Sequence, residues 1–167
     1  MKEEKTLILT GKQVTQKIRR IAYEIYEHNF NEEGVVLAGI DGQGYTLAQN
    51  IAGELKVISP LQIKLTRVSV DKIKPETSQV TVDCTGQELT GKCVVLVDDV
   101  LNTGKTMAYA LKPFLQTAIK KIEIAVLVNR SHTNFPIYPQ YTGYELSTTI
   151  NEHVEVVLGK SPAVYLH

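Results

Sequence analysis

Three short apolar runs punctuate this chain, at residues 35–40, 94–97 and 122–128. None shows the strict alternation of apolar and polar residues that marks a strand with one wet face. A strand that is apolar throughout has both faces covered, as in a parallel sheet. Helical stripes stand between the runs. Leu47, Ala48, Ile51, Ala52 and Leu55 share one face of a helix over about 45–55. Met107, Ala110, Leu111, Phe114, Leu115 and Ala118 form another stripe, with Pro113 expected to kink or loosen it because proline lacks the N–H the ladder needs. Strand and helix in alternation mean parallel strands joined by right-handed crossovers, with helices on both faces of a twisted sheet.

The remaining segments fit around this frame. Val14, Ile18, Ile21, Ala22 and Ile25 mark an amphipathic helix over about 11–28. Leu61, Ile63 and Leu65 alternate with Gln62, Lys64 and Thr66, which predicts a half-exposed strand. The polar stretch 67–91 is expected to protrude as a long flexible β-hairpin, with Val80 and Val82 on its returning strand. The Pro/Tyr-rich stretch up to Tyr144 is expected to be irregular, and 154–158 to be a last short strand. A length of 167 residues suits one α/β domain over 1–167.

Composition removes some functions. The 18 basic and 18 acidic residues leave a formal net charge of zero, which gives no support to broad nonspecific nucleic-acid binding. Cys84 and Cys93 fit no metal or redox spacing and read as reduced thiols of a cytoplasmic protein. The charged start, Met1, Lys2, Glu3, Glu4 and Lys5, does not carry the pattern of a signal peptide. No segment approaches the roughly 20 apolar residues of a membrane span.

Ligands of open parallel sheets bind outside the carboxyl ends of the strands. Three turns fall there, at 41–44, 98–106 and 129–132. The second is the richest. Asp98 and Asp99 follow the apolar run and are expected to stay solvated at the strand's mouth, where ionised carboxylates accept hydrogen bonds from sugar hydroxyls or hold a hydrated cation. Thr103, Gly104, Lys105 and Thr106 then open a helix, whose free N–H groups favour an anion. A ligand with vicinal hydroxyls and a phosphate satisfies both halves. The segment is not a P-loop, because position 99, where that motif needs its first glycine, is Asp. Gly39, Gly42 and Gly44 have the wrong spacing for a dinucleotide fingerprint, but suit a tight turn with amides facing a second anion. His132 reads as a hydrogen-bonded turn residue, and His28, His153 and His167 as surface residues. No serine or cysteine stands in a nucleophile's setting.

Residues 94–106 resemble the signature of type I phosphoribosyltransferases, which bind 5-phosphoribosyl-1-pyrophosphate (PRPP): apolar residues, two acidic residues, then Thr-Gly-x-Thr. The likeness extends to the PyrR family of pyrimidine-operon attenuators and uracil phosphoribosyltransferases. It is carried by residues 124–137 and 143–149, by the first helix with Arg19, Arg20, Ile21 and Ala22, and by the 39–44 turn. The resemblance implies a phosphoribosyltransferase fold and transfer of phosphoribosyl from PRPP to a nucleobase, uracil, giving UMP and pyrophosphate.

It also implies the roles of residues. Asp98 and Asp99 hold the ribose hydroxyls, with Mg2+ nearby through PRPP and water. Val100, Leu101, Asn102, Thr103, Gly104, Lys105 and Thr106 cradle the 5′-phosphate. Asp41, Gly42, Gln43 and Gly44 occupy the pyrophosphate loop, where the family pattern has Thr-Arg in place of Gly42 and Gln43. Arg67, at the base of the hairpin, joins Asp98 and Asp99 as a catalytic residue. Val128, Asn129 and Arg130 form the base-recognition turn. The same resemblance carries an alternative, a nucleotide-sensing regulator that binds pyrimidine-operon leader RNA as a homodimer with weak or no catalysis. Its candidate cations are Lys12, Lys17, Arg19, Arg20, Lys120 and Lys121.

Overall fold

The structure, a computed structural model, describes residues 4–167. Met1, Lys2 and Glu3 of the charged start lie outside the described residues. The elements run in the order β1 (Thr6–Leu9), α1 (Gly11–Asn29), β2 (Gly34–Ile40), α2 (Gln43–Ile58), β3 (Gln62–Ser69), β4 (Thr81–Val82), α3 (Gly86–Leu89) and β5 (Cys93–Leu101). They continue with α4 (Lys105–Ala110), α5 (Lys112–Leu115), β6 (Lys121–Asn129), β7 (Tyr141–Glu145), β8 (Val154–Val157) and β9 (Ala163–Leu166).

The main sheet has the strand order β4-β3-β2-β5-β6-β7. Every pairing from β3 through β7 is parallel, and β4 is antiparallel. The apolar runs feed two cores at once. Val35, Leu37, Val95, Val97, Ala125 and Leu127 point into the core under α1 and α2. Val36, Ala38, Ile40, Val94, Leu96, Ile124 and Val126 point into the core on the α3 to α5 side. Side chains of successive strand residues point to opposite faces, so a strand between two cores needs an apolar residue at every step. α1 is set in place by a capping box between Thr10 and Gln13, which satisfies amide groups the helix cannot.

Several expectations need correction. Strand β5 does not stop at Val97; it continues through both carboxylates to Leu101, because β6 extends alongside it and supplies ladder partners as far as Asn129. α2 begins at Gln43, so the last two residues of the glycine turn are helical. The helix after residue 106 is interrupted near Pro113, as expected: it is broken into α4 and α5, with Pro113 in the first turn of the second. The stripe expected there is shorter than its spacing implied: Leu115 is 69% exposed, and Ala118 lies beyond the helix and is exposed. β3 is half-exposed, as its alternation implies: Gln62 and Arg67 are exposed and Ile63, Lys64 and Leu65 part-buried, and only Thr66 and Val68 are buried. The stretch before Tyr144 is not irregular throughout, since β7 pairs in parallel with β6. β8 is not the last strand. With β9 and β1 it forms a separate antiparallel sheet, ordered β1-β9-β8. Between β3 and β4 the ladder holds two residue pairs, Val68 with Val82 and Ser69 with Thr81, and 70–80 has no regular structure. No helix among the described residues is long and apolar enough to cross a membrane.

Candidate active site

At the end of β5 the chain places two adjacent carboxyl groups in different environments. Asp98 is 5% exposed, and Asp99 is half-buried. This corrects the expectation that both stay solvated. Asp98 is enclosed because β5 keeps its pairing with β6 at this point, and because Gly44 of α2 lies directly against it. A Cβ on residue 44 would come within 2.7 Å of Asp98 Oδ1 and 3.0 Å of the Val97 carbonyl oxygen, so glycine here permits a helix start to touch a strand end. Burial, and then the charge of Asp99, push the Asp98 carboxyl up to about 8, against the pull of Lys72. Desolvation disfavours the charged form, and a neighbouring like charge does the same. Asp98 Oδ1 accepts the Asp99 N–H at 2.9 Å and lies 3.5 Å from Lys72 Nζ.

The loop that follows turns at Gly104. Gly104 has φ +84, a left-handed conformation that L side chains adopt at a cost, and Ile137 packs over it at 3.2 Å from where a Cβ would stand. The Lys105 N–H donates to Thr103 Oγ1, and the Thr103 carbonyl accepts the N–H of Asn134 and Phe135. The 134–137 segment therefore braces the loop from behind.

Residues 98–107 line a cleft of about 370 Å³. Its other walls are Lys72 and residues 153–156 of the small sheet. Lys72, His153 and Glu155 were not expected in this site. Lys72 sits in the polar excursion, which carries no motif, and the sequence near β8 offers no signal of its proximity to β5. His153, expected as a surface residue, is exposed but lines this cleft. Its backbone pairs with His167, and its ring meets the His167 ring edge-on at 5.1 Å. His167 Nε2 and Lys5 Nζ lie 3.6 and 2.6 Å from Glu155.

The excursion between β3 and β4 reaches across this cleft. Besides Lys72 on Asp98, Glu76 pairs with Lys105 at 3.2 Å. Beside the cleft, at the ends of β2 and β3, stand Asp41, Gly42, Gln43, Tyr45 and Arg67. Asp41 Oδ1 accepts the Gly42 N–H at 3.1 Å and is 3.4 Å from Arg67 Nε. The Arg67 guanidinium lies 4.2 Å from the centre of the Tyr45 ring, a cation–π stack. Gly44 joins this cluster to Asp98.

The third turn is farther along the strand ends. Val128 is fully buried, and its neighbour Asn129 accepts the Ser131 N–H on its side chain at 3.0 Å. Arg130 donates to Asn102 Oδ1, to Thr148 Oγ1 and to the carbonyls of Thr149 and Glu152. It ties the 102 loop to the 148–152 segment. His132 Nε2 is bonded to the Thr148 carbonyl at 2.6 Å, as expected of a turn residue.

Among the described residues, no group of three or more His, Cys, Asp or Glu is arranged to hold a metal ion by itself. Half-buried Asp99, next to Asp98, which holds its proton, leaves one carboxylate at the mouth of the cleft able to accept a hydrated cation. That suits a magnesium ion that keeps most of its waters and is shared with a phosphate ligand.

Comparison with known proteins gives a consistent answer. Residues 6–159 match the family model for the phosphoribosyl transferase domain. Bifunctional protein PyrR of Geobacter sp. (strain M21) is 38% identical over 160 residues, covering 92% of this chain and 90% of that protein. Bifunctional protein PyrR of Streptococcus thermophilus is 38% identical over 154 residues, covering 87% of this chain and 86% of that one. Among solved structures, the hypoxanthine phosphoribosyltransferase of Trypanosoma cruzi superposes with a TM-score of 0.76 at 15% identity, covering 89% of this chain and 84% of that one. At that identity the likeness speaks for the fold alone.

Proposed function

Because the chain belongs to the phosphoribosyltransferase family, and within it to the PyrR proteins, we propose that it transfers the phosphoribosyl group of PRPP to uracil, giving UMP and pyrophosphate. The observation that carries this reading is the single cleft that joins Asp98 and Asp99 to the Gly104 turn. One end accepts hydrogen bonds from hydroxyls; the other offers amides, hydroxyls and the Lys105 ammonium to a phosphate.

In the reaction a uracil nitrogen forms a bond to the sugar's anomeric carbon as the bond from that carbon to the diphosphate oxygen breaks. The nitrogen's proton is released and the electron pair leaves with pyrophosphate. Positive charge builds on the sugar, so no covalent nucleophile from the protein is needed. Asp98 and Asp99 orient the ribose through its hydroxyls, and residues 100–106 fix the 5′-phosphate; holding both ends aligns the anomeric carbon for attack. Asp99, half-buried, supplies negative potential near the developing charge. Arg67 is assigned to the diphosphate and Val128, Asn129 and Arg130 to the base, the last three through backbone edges and the loop that Arg130 organises. Asp98 and Asp99 are the residues that would hold a magnesium ion brought in with PRPP, and such an ion would offset phosphate charge.

Pyrophosphate release on incubation with PRPP, magnesium and uracil tests the assignment. The Asp98→Asn, Asp99→Asn double variant is expected to lose PRPP affinity on the order of 100-fold, since each charge-assisted hydrogen bond contributes roughly 1.5–3 kcal/mol. Unchanged affinity in a folded double variant sinks the site assignment.

The word bifunctional in the relatives' names favours a second role, binding of pyrimidine-operon leader RNA under nucleotide control. Of the candidate cations, Arg19, Arg20, Lys120 and Lys121 pair with Glu54, Glu24, Glu32 and Glu123. An RNA phosphate would compete with these carboxylates, so binding should fall steeply with salt. Leader-RNA affinity that is undetectable at low salt, or indifferent to UMP, removes this role. We assign the chain to the cytoplasm, in line with its free Cys84 and Cys93, and to a homodimer, which light scattering tests.

A further inference from the structure

We propose that Asp41 fills, from within the chain, the anion seat at the end of β2, so that the cleft takes a nucleoside 5′-monophosphate in preference to a sugar phosphate that also carries a diphosphate. The inference rests on reading the cleft as a phosphoribosyl site and goes on to say which member of that ligand class it holds.

The seat is made of two donors, the Gly42 N–H and the Arg67 guanidinium. Both are already engaged by one carboxylate: Asp41 Oδ1 accepts the first at 3.1 Å and stands 3.4 Å from Nε of the second. Gly42 is the N-cap of α2 and has φ +94, so it offers no side chain that could take the carboxylate's place. Gln43, the first residue of α2, is neutral. Across Gly44 lies Asp98, which holds its proton, followed by Asp99, whose carboxylate adds negative potential. A diphosphate arriving here must displace Asp41 from Arg67 and still lie close to the displaced carboxylate.

The phosphate end of the cleft is built differently. There Lys105 is also paired with a carboxylate, Glu76. Glu76 belongs to the irregular 70–80 excursion and can leave with it. Asp41 cannot leave in that way, because its backbone N–H is bonded to the Val68 carbonyl of β3 at 2.8 Å. Its carboxylate can turn about its own side-chain bonds, but the anchored backbone keeps it within reach of the seat. One anion seat empties when the excursion moves; the other stays charged. The consequence for turnover is a weak grip on PRPP beside a firm grip on the nucleotide product.

Titration calorimetry with magnesium present tests this on the full chain and on Asp41→Asn, with UMP, ribose 5-phosphate and PRPP as ligands. Asp41 is exposed, so its replacement should leave the melting temperature unchanged. In the natural chain, ribose 5-phosphate should bind at least as tightly as PRPP. Asp41→Asn should raise PRPP affinity tenfold or more while UMP and ribose 5-phosphate change less than twofold. PRPP affinity that is unchanged or lowered in the variant overturns the inference, the second because it would make Asp41 a positioning group for Arg67. A natural chain that binds PRPP tenfold more tightly than ribose 5-phosphate also overturns it. Failure to bind UMP and ribose 5-phosphate at all removes the phosphoribosyl reading together with it, an outcome distinct from the others.

Discussion

Asp98 has two masters, its burial and its partners, and pH separates them. Its carboxyl is pushed up to about 8 by burial and then by Asp99. Near the ordinary carboxylate range the unfolded chain loses this proton while the folded chain keeps it. The folded state therefore binds the extra proton between about pH 4 and 8, and stability from this group falls as pH rises through that window. Asp71 works in the opposite sense: the N–H groups of Ile73 and Lys74 hold its carboxyl low, so its contribution is lost only as pH falls into the acid range. Asp98→Asn should accordingly melt close to the natural chain near pH 4, and on the order of 3 °C or more above it near pH 8. Calorimetric scans across that range check this, and parallel curves for the two proteins would show that Asp98 ionises freely. Asn keeps the Oδ1 that accepts the Asp99 N–H, so the comparison isolates charge from hydrogen bonding.

The excursion between β3 and β4 is the element that most shapes access. Its contacts are Lys72 with Asp98, which holds its proton, and the ion pair of Glu76 with Lys105, exposed on both sides, where such a pair contributes about 0–1 kcal/mol. Contacts that weak close the cleft without locking it. Glu76→Ala should speed proteolytic cleavage within 70–80 and raise UMP affinity about two- to fivefold, because Lys105 no longer has to leave a carboxylate. Equal cleavage rates and equal affinity would mean the excursion is held by other contacts, such as the buried Pro75. Elements of this kind also show what can be read from residues alone. The two-sided runs at β2, β5 and β6 are legible because two cores demand an apolar residue at each step. The carboxylate pair and the Gly104 turn are legible because both interrupt such a run with chemistry. The extension of β5 through Asp98 is not, since it depends on a partner strand and on Gly44, whose role is contact and not flexibility. Nor is β7, whose Tyr, Thr and Gly residues match no simple period. β1, β8 and β9 are too short to announce their pairing.

At the scale of the molecule, the cleft lies between two sheets that share one core. Val164 of β9 is fully buried and pairs with Leu9 of β1 and Val156 of β8. Shortening it in Val164→Ala should cost about 2 kcal/mol of stability. It should also lower UMP affinity, because residues 153–156 form a wall of the cleft and would lose their support. A denaturation midpoint and a binding curve on the same sample check both effects; loss of stability with unchanged affinity would separate the wall from ligand binding. The pairing of β1 with β9 sets an order of events as well. β1 is made before the six-stranded sheet, and its partner β9 after it. The growing chain can complete its parallel sheet and its carboxylate pair while β1 waits unpaired. Until Leu166 has been added, the growing chain has the Gly104 loop without its opposite wall, and synthesis itself times the moment at which this cleft is closed on that side.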